Sequence, residues 1–269
     1  MKYKLLVLDL DGTLTNSQKE ITLRTLEVLE RAQAAGVKLV LASGRPTYGI
    51  TPLAKELKMD QHGGYILSYN GGKIIDTKTM EVIYEQVLPL ELVPELHRAA
   101  LDAGAVILTY RNQYILTEQP QDKYVGHELF LTKMTAQKVE NFSQAVDFDP
   151  DKCLIVGEPE DIEPLGERLN AQFGDRLSAY RSEPFFLEVV PKGIDKALSL
   201  TRLLTRIGAT KEEMAAAGDG FNDLTMIQLA GFGVAMANAQ DVVKEAADYT
   251  TLSNDEDGVA AMVEKFILE

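Results

Sequence analysis

Short aliphatic runs alternate with longer amphipathic stretches over much of the chain. Residues 3–8 form an apolar run that ends in acids and Gly12. Its length and branched aliphatic content predict a strand buried on both faces, as in a parallel sheet. Residues 37–42 predict a second buried strand, followed by the polar turn Ser43-Gly44-Arg45, and residues 65–69 a third, ending at Asn70-Gly71-Gly72. Between the first two strands, Thr22 is placed to cap a helix with Leu26, Leu29 and Ala32 on its apolar face, and Gly36 to close it. Pro46 suits the first turn of the next helix. Strands alternating with helices predict a doubly wound, Rossmann-like α/β sheet that binds ligands at the carboxyl ends of its strands.

After Glu85 the rhythm changes. Residues 89–103 read as a helix, and residues 105–110 with 114–118 as a hairpin around Asn112-Gln113. A strand at 153–157, a helix at 160–173, and strands at 177–180 and 185–190 complete a mixed α+β unit. The α/β alternation then resumes with a helix near 193–207, strands at 214–218 and 232–236, and a helix after Asn222. The expected organisation is one domain, residues 1–85 and 186–269, interrupted by an inserted α+β domain, residues 86–185.

Composition narrows the classes. The chain has 269 residues, 45% hydrophobic and 25% charged, which is ordinary for a globular protein and excludes a disordered chain or a disulfide-stapled scaffold. Lys and Arg number 27 against 41 Asp and Glu, a net charge of −14. Such a surface repels nucleic acid and anionic lipid, so neither is expected as a partner. A local pocket can still oppose the global sign and take a small anion. The single Cys153 excludes an intramolecular disulfide, and its apolar setting reads as a buried strand thiol. No run of 18 apolar residues predicts a membrane span, and the first residues do not read as a signal peptide, so a cytoplasmic protein is expected.

Four strand-end sites could carry chemistry. Asp9-Leu10-Asp11-Gly12-Thr13 sets carboxylates at i and i+2, which face one cavity if the segment is extended. Two acids so close are costly unless a cation or proton relieves them, although the same residues suit a capping turn. Ser43-Gly44-Arg45 offers a hydroxyl and backbone amides to an anion, or an N-cap to the following helix. Lys192 and Lys196 lie near a helix start, where the dipole opposes a cation; either also reads as a solvated lysine. Asp219 and Asp223 sit in a Gly-bracketed turn, Gly218-Asp219-Gly220-Phe221-Asn222-Asp223, that can bring Asp219 to a sheet edge.

Taken together and in this order, the four sites resemble the motifs of the haloacid dehalogenase (HAD) superfamily: DLDGT, ASGR, the Lys of GIDKAL, and GDGFND. Further likeness in SYNGG (68–72), GVAMANA (233–239) and NDEDGVA (254–260) points to the Cof-type branch, whose α+β cap is inserted between the second and third motifs. The resemblance implies a phosphatase with Asp9 as nucleophile and Asp11 as general acid and base. It implies Mg²⁺ held by Asp9, Asp219 and the Asp11 carbonyl, with Asp223 supporting the metal directly or through water. It implies phosphate contacts from Ser43, the Gly44 and Leu10 amides, Lys196 and Asn222, with Thr13 orienting the loop. Lys196 is preferred to Lys192 because the family Lys follows a Gly-x-x step; Ala197 stands where many relatives have Gly. The implied cap closes over the site and meets the leaving group, with Arg45, Asn70, Arg111, Tyr180 and Arg181 available as contacts. An acid at Asp11 separates this chain from family dehalogenases, which lack it, and from pumps that carry Thr there.

The expected partner is a small phosphorylated metabolite, a sugar phosphate or a nucleotide-like cofactor. Two other readings are a phosphosugar mutase of the same superfamily and a non-enzymatic phospho-acceptor switch. No HxH, HExxH or CxxC pattern offers a zinc site, and His62, His97 and His127 are scattered.

Overall fold

A computed structural model of the chain describes residues 2–268. In chain order the strands are β1 (Leu5–Leu8), β2 (Lys38–Ala42), β3 (Gly64–Ser68), β4 (Lys73–Asp76) and β5 (Val82–Glu85). Then come β6 (Val106–Arg111), β7 (Tyr114–Thr117), β8 (Thr135–Lys138), β9 (Cys153–Val156), β10 (Leu177–Glu183) and β11 (Phe186–Pro191), and finally β12 (Met214–Gly218), β13 (Phe232–Ala235) and β14 (Tyr249–Thr250). Contacts divide the chain into two units, one taking the stretches up to Tyr84 and from Asp195 onward, the other spanning Glu85–Ile194.

The first unit is an eight-stranded sheet in the order β14-β13-β12-β1-β2-β3-β4-β5. Its pairs from β14 through β3 are parallel, and β4 turns back antiparallel on β3. Leu5, Leu6, Val7 and Leu8 are all buried, as a strand covered on both faces requires. Strand order reverses at β1: the chain steps outward one way through β2 and β3, and the other way through β12, β13 and β14. In open α/β sheets that reversal is where ligands bind, at the carboxyl ends of the strands. Register aligns Leu8 with both Leu41 and Ala217, so the residues after β1, β2 and β12 emerge together. The helix Leu23–Ala34 is capped by the Thr22 hydroxyl, which accepts from the Thr25 amide. Gly36 follows at a positive φ of 98°.

The second unit is a six-stranded sheet, β10-β11-β9-β6-β7-β8, antiparallel except between β7 and β8. Helices Val93–Asp102 and Pro159–Phe173 contribute Leu96, Ala100, Ile162, Leu165 and Leu169 to its core, opposite Ile107, Ile155, Leu187 and Val189. The sequence boundary at 185/186 needs correction. It falls in the β10–β11 turn, and β11 pairs with β9 and β10, so residues 186–194 belong to this unit. The apolar run of β11 does not tell which sheet will take it.

Cys153 is fully buried on β9, and that burial pushes its thiol up to about 12. Iodoacetamide at pH 8 should therefore leave the native protein unlabelled and modify Cys153 only after denaturation, as read by mass spectrometry. Prompt labelling of native protein would contradict the buried setting. No helix among the described residues is long and apolar enough to cross a membrane.

Candidate active site

The carboxyl ends of β1 and β12 deliver acids, and the helix Lys196–Ile207 delivers a cation among them. Asp9 follows β1 directly, and its amide donates to the Ala217 carbonyl at 3.0 Å, which ties the end of β1 to β12. Lys196 opens its helix and is 1% exposed. Its Nζ donates to Asp9 Oδ1 at 2.7 Å, Asp223 Oδ1 at 2.6 Å and the Ala42 carbonyl at 2.9 Å. A cation at a helix N-terminus opposes the helix dipole, and here two carboxylates offset that cost.

Asp223 uses its other oxygen to accept from the Asp219 and Gly220 amides, at 3.0 and 2.9 Å. It therefore fixes the turn that carries Asp219. Gly218 is required there, since a Cβ would meet the Asp223 side chain at 2.5 Å. Thr13 donates its hydroxyl to Asp219 Oδ1 at 2.9 Å, linking the loop after β1 to the loop after β12. Gly12 sits at φ +85°, and any Cβ on it would collide with the Asp219 carboxylate.

One oxygen each from Asp9, Asp219 and Asp223 lies within 4.8 Å of the others. Burial raises Asp9 well above the usual carboxylate range, the neighbouring Asp223 adds to this, and Lys196 opposes it. Burial and then Asp223 push Asp219 up to about 6. For Lys196, burial disfavours the charge, but Asp223 and Asp9 outweigh it and raise the ammonium. Three crowded carboxylates with one lysine leave surplus negative charge. Hard oxygen donors in this number suit Mg²⁺, which prefers carboxylate and water oxygens.

Asp11 follows in a turn rather than in an extended strand, since β1 ends at Leu8 and Asp11 bridges to Thr15, and its charge is close enough to Asp219 to help raise that carboxyl. The Asp11 carboxyl is held by a different set of cations. Arg45 grips it with Nε on Oδ2 at 2.7 Å and Nη2 on Oδ1 at 2.6 Å, and Lys19 Nζ reaches Oδ1 at 2.8 Å. Burial raises this carboxyl, but Arg45 and then Lys19 outweigh it and hold it below the ordinary value.

Ser43 and Gly44 lie at the end of β2, with the buried Ser43 hydroxyl accepting from the Arg45 amide at 3.1 Å. Asn70 donates its amide to the Ser43 carbonyl at 2.9 Å, packs its side chain over Gly44, and accepts from Asn222 Nδ2 at 3.1 Å. Asn222 itself is exposed and Leu10 is buried. Tyr69 and Asn70 both adopt left-handed backbone, at φ 54° and 55°. Asn70 tolerates this region better than most residues, and the pair carries the chain over the end of β2.

Lys192 falls in the second unit, whereas Lys196 is in the first with the acids. His97 and His127 belong to the second unit, where His97 is buried with its Nδ1 at 2.7 Å from the Ser143 hydroxyl. Lys19 was not singled out from sequence. It lies in a polar loop without periodicity, and its place beside Asp11 depends on tertiary contacts.

Comparison with known proteins shows the family. The family model described as haloacid dehalogenase-like hydrolase matches residues 6–263. The chain belongs to the haloacid dehalogenase-like hydrolase family. Within it, a crystal structure of a haloacid dehalogenase-like hydrolase from Bacteroides thetaiotaomicron is 55% identical, with a TM-score of 0.96 over 98% of this chain and 99% of that one. The HAD subclass IIB sugar phosphatase BT4131 is 27% identical, with a TM-score of 0.84 over 99% of this chain and all of the other. The 5-amino-6-(5-phospho-D-ribitylamino)uracil phosphatase YcsE of Bacillus subtilis is 30% identical over 98% of this chain and 96% of its own length.

Proposed function

We propose that this chain is a Mg²⁺-dependent phosphatase that hydrolyses small-metabolite phosphomonoesters through an aspartyl-phosphate on Asp9. The observation that carries this reading is the meeting of Asp9, Lys196, Asp219 and Asp223 at the reversal point of the first sheet. A carboxylate approaching a phosphate dianion meets like charge, about 4 kcal/mol for each unit pair at 4 Å and an effective dielectric near 20. Lys196 supplies one compensating charge. A divalent cation held by Asp9, Asp219 and the Asp11 carbonyl, with Asp223 supporting it, would supply the rest and draw charge off the phosphoryl oxygens.

In this reading an Asp9 carboxylate oxygen attacks phosphorus. The bond to the leaving oxygen breaks, its electron pair goes to that oxygen, and the Asp11 carboxyl, which takes up a proton in the substrate complex against the pull of Arg45 and Lys19, supplies that proton. Water then attacks the phosphoryl group, gives its proton to Asp11, and releases phosphate and free Asp9. Ser43, the Gly44 and Leu10 amides, Lys196 and Asn222 hold the non-bridging phosphoryl oxygens. One relative is named a sugar phosphatase and another a ribitylaminouracil phosphatase, which supports a polyhydroxylated leaving group.

The test is phosphate release from a panel of sugar phosphates and nucleotide-like phosphates, with Mg²⁺ and with excess chelator. Release that chelator stops is expected; release indifferent to chelator, or isomerised phosphosugar without free phosphate, would overturn the reading. The pH dependence is also specified. Protons compete with the cation for Asp219, whose pKa is about 6, so Mg²⁺ affinity should rise between pH 5 and 7. Titration calorimetry at several pH values would expose a flat or falling profile if Asp219 were not a ligand.

A further inference from the structure

The sequence segments 233–239 and 254–260 contribute no side chain to the acid cluster, yet they fix the loop that follows β1. Asn238 Nδ2 donates to the Gly12 carbonyl at 2.8 Å, and Asn254 Nδ2 to the Thr15 carbonyl at 2.9 Å. Asp255 accepts from both the amide and the hydroxyl of Ser17, at 2.8 and 2.6 Å. Asn16 closes the loop on itself, with Oδ1 accepting from the Gln18 and Glu20 amides, both at 3.0 Å. The chain then passes through Lys19 at φ 64°, a left-handed conformation uncommon for lysine. The outcome of this clamping is that the Lys19 ammonium is delivered to Asp11 Oδ1.

The geometry points to Lys19 as a positioning residue for the acid–base carboxyl of Asp11, acting as a second grip beside Arg45. This rests on the phosphatase reading above. The Arg45 guanidinium holds both carboxylate oxygens, and its own tie is a long 3.4 Å bond from Nη1 to the Gly49 carbonyl. Arg45 comes from the end of β2 and its side chain is 10% exposed. Lys19 comes from the clamped loop, so its bond to Oδ1 fixes the same carboxyl from a second element. Without it Asp11 follows Arg45 alone, and its approach to the leaving oxygen is no longer set.

A residue that acts by orienting a proton donor has a specific kinetic signature. An alkyl ester must have its leaving oxygen protonated as the phosphorus–oxygen bond breaks, whereas p-nitrophenolate departs without a proton. kcat/KM covers the steps through loss of that group and is blind to later hydrolysis of the phospho-enzyme. We therefore compare kcat/KM for glycerol 2-phosphate and p-nitrophenyl phosphate, with Mg²⁺, in wild type, Lys19→Met and Lys19→Arg. Lys19→Met should lower the alkyl value about tenfold, a fraction of the effect typical of a general acid. The aryl value should stay within about twofold, and Lys19→Arg should recover most of the alkyl loss. In an Asp11→Asn background, Lys19→Met should have no further effect on the alkyl ester. Equal losses on both esters, no loss on either, or a full additional loss in the Asp11→Asn background would each overturn the assignment, the last by showing that Lys19 acts on substrate. A wild-type chain inactive on both esters and on every member of the panel above would overturn the phosphatase reading itself, and this inference with it; activity on the panel without activity on p-nitrophenyl phosphate would overturn this inference alone.

Discussion

Asp9→Asn is expected to abolish phosphate release while leaving the chain folded. The amide keeps the shape of the side chain but cannot form the acyl phosphate, and loss of a nucleophile is expected to cost at least about 10⁴ in kcat. Lys196 keeps Asp223 and the Ala42 carbonyl as partners, so no buried cation is left alone. Burial already disfavours the charged form of Asp9, and replacing it by a neutral group relieves part of that cost. The stability change should stay within about 1–2 kcal/mol, readable as a shift in the urea midpoint. Wild-type turnover in a folded variant would remove Asp9 from the reaction.

Lys196→Met should have the larger effect on stability. Its side chain fits the space but leaves Asp9 and Asp223 without their shared cation. Removing one member of a buried ion pair typically costs about 3–5 kcal/mol. The deficit should depend on pH. Asp9 has a folded-state pKa above its unfolded value, so its contribution is present at low pH and is lost as pH rises through the folded value. Without Lys196 nothing of comparable strength opposes that rise. The variant should therefore be closest to wild type near pH 5 and furthest from it near pH 8 in parallel urea titrations. Equal stability at pH 8 would mean that the ion pairs do not hold the site together. Phosphate release should fall as well, because one of the charges opposing anionic repulsion is gone.

The meeting of the acids was legible in sequence because each stands directly after a short apolar run. A parallel sheet sends the ends of neighbouring strands to one edge, so Asp9, Ser43 and Asp219 had few other places to go. A lysine near a helix start left Lys192 and Lys196 both open, and only the resemblance to the family's Gly-x-x-Lys step singled out Lys196. The surroundings of Asp11 were not legible. Arg45 and Lys19 reach it across turns, and the contact between Ser17 and Asp255 spans 238 positions. Nothing periodic marks such a pairing. In the second unit, β8 reads Thr-Ala-Gln-Lys with three of its four residues exposed, so no apolar run announced it. The helix Lys123–Thr132 escaped notice because Gly126 and the branched Val125 blur its pattern. The two-residue strand β14 is too short to carry any period.

The central strand of the first sheet has one neighbour close behind it in the chain and another more than two hundred residues on, since Leu5 pairs with Lys38 and with Met214. During synthesis the polypeptide leaves the ribosome in order, so β1 waits with one side unpaired until β12 has been made. The intervening stretch Glu85–Ile194 is continuous and holds its own apolar core. It is complete before its host, and long-range pairing forms late because its loop must first be closed. The middle of this chain is thus able to fold as the nascent protein lengthens, while the acids of the site come together only once the final third has emerged.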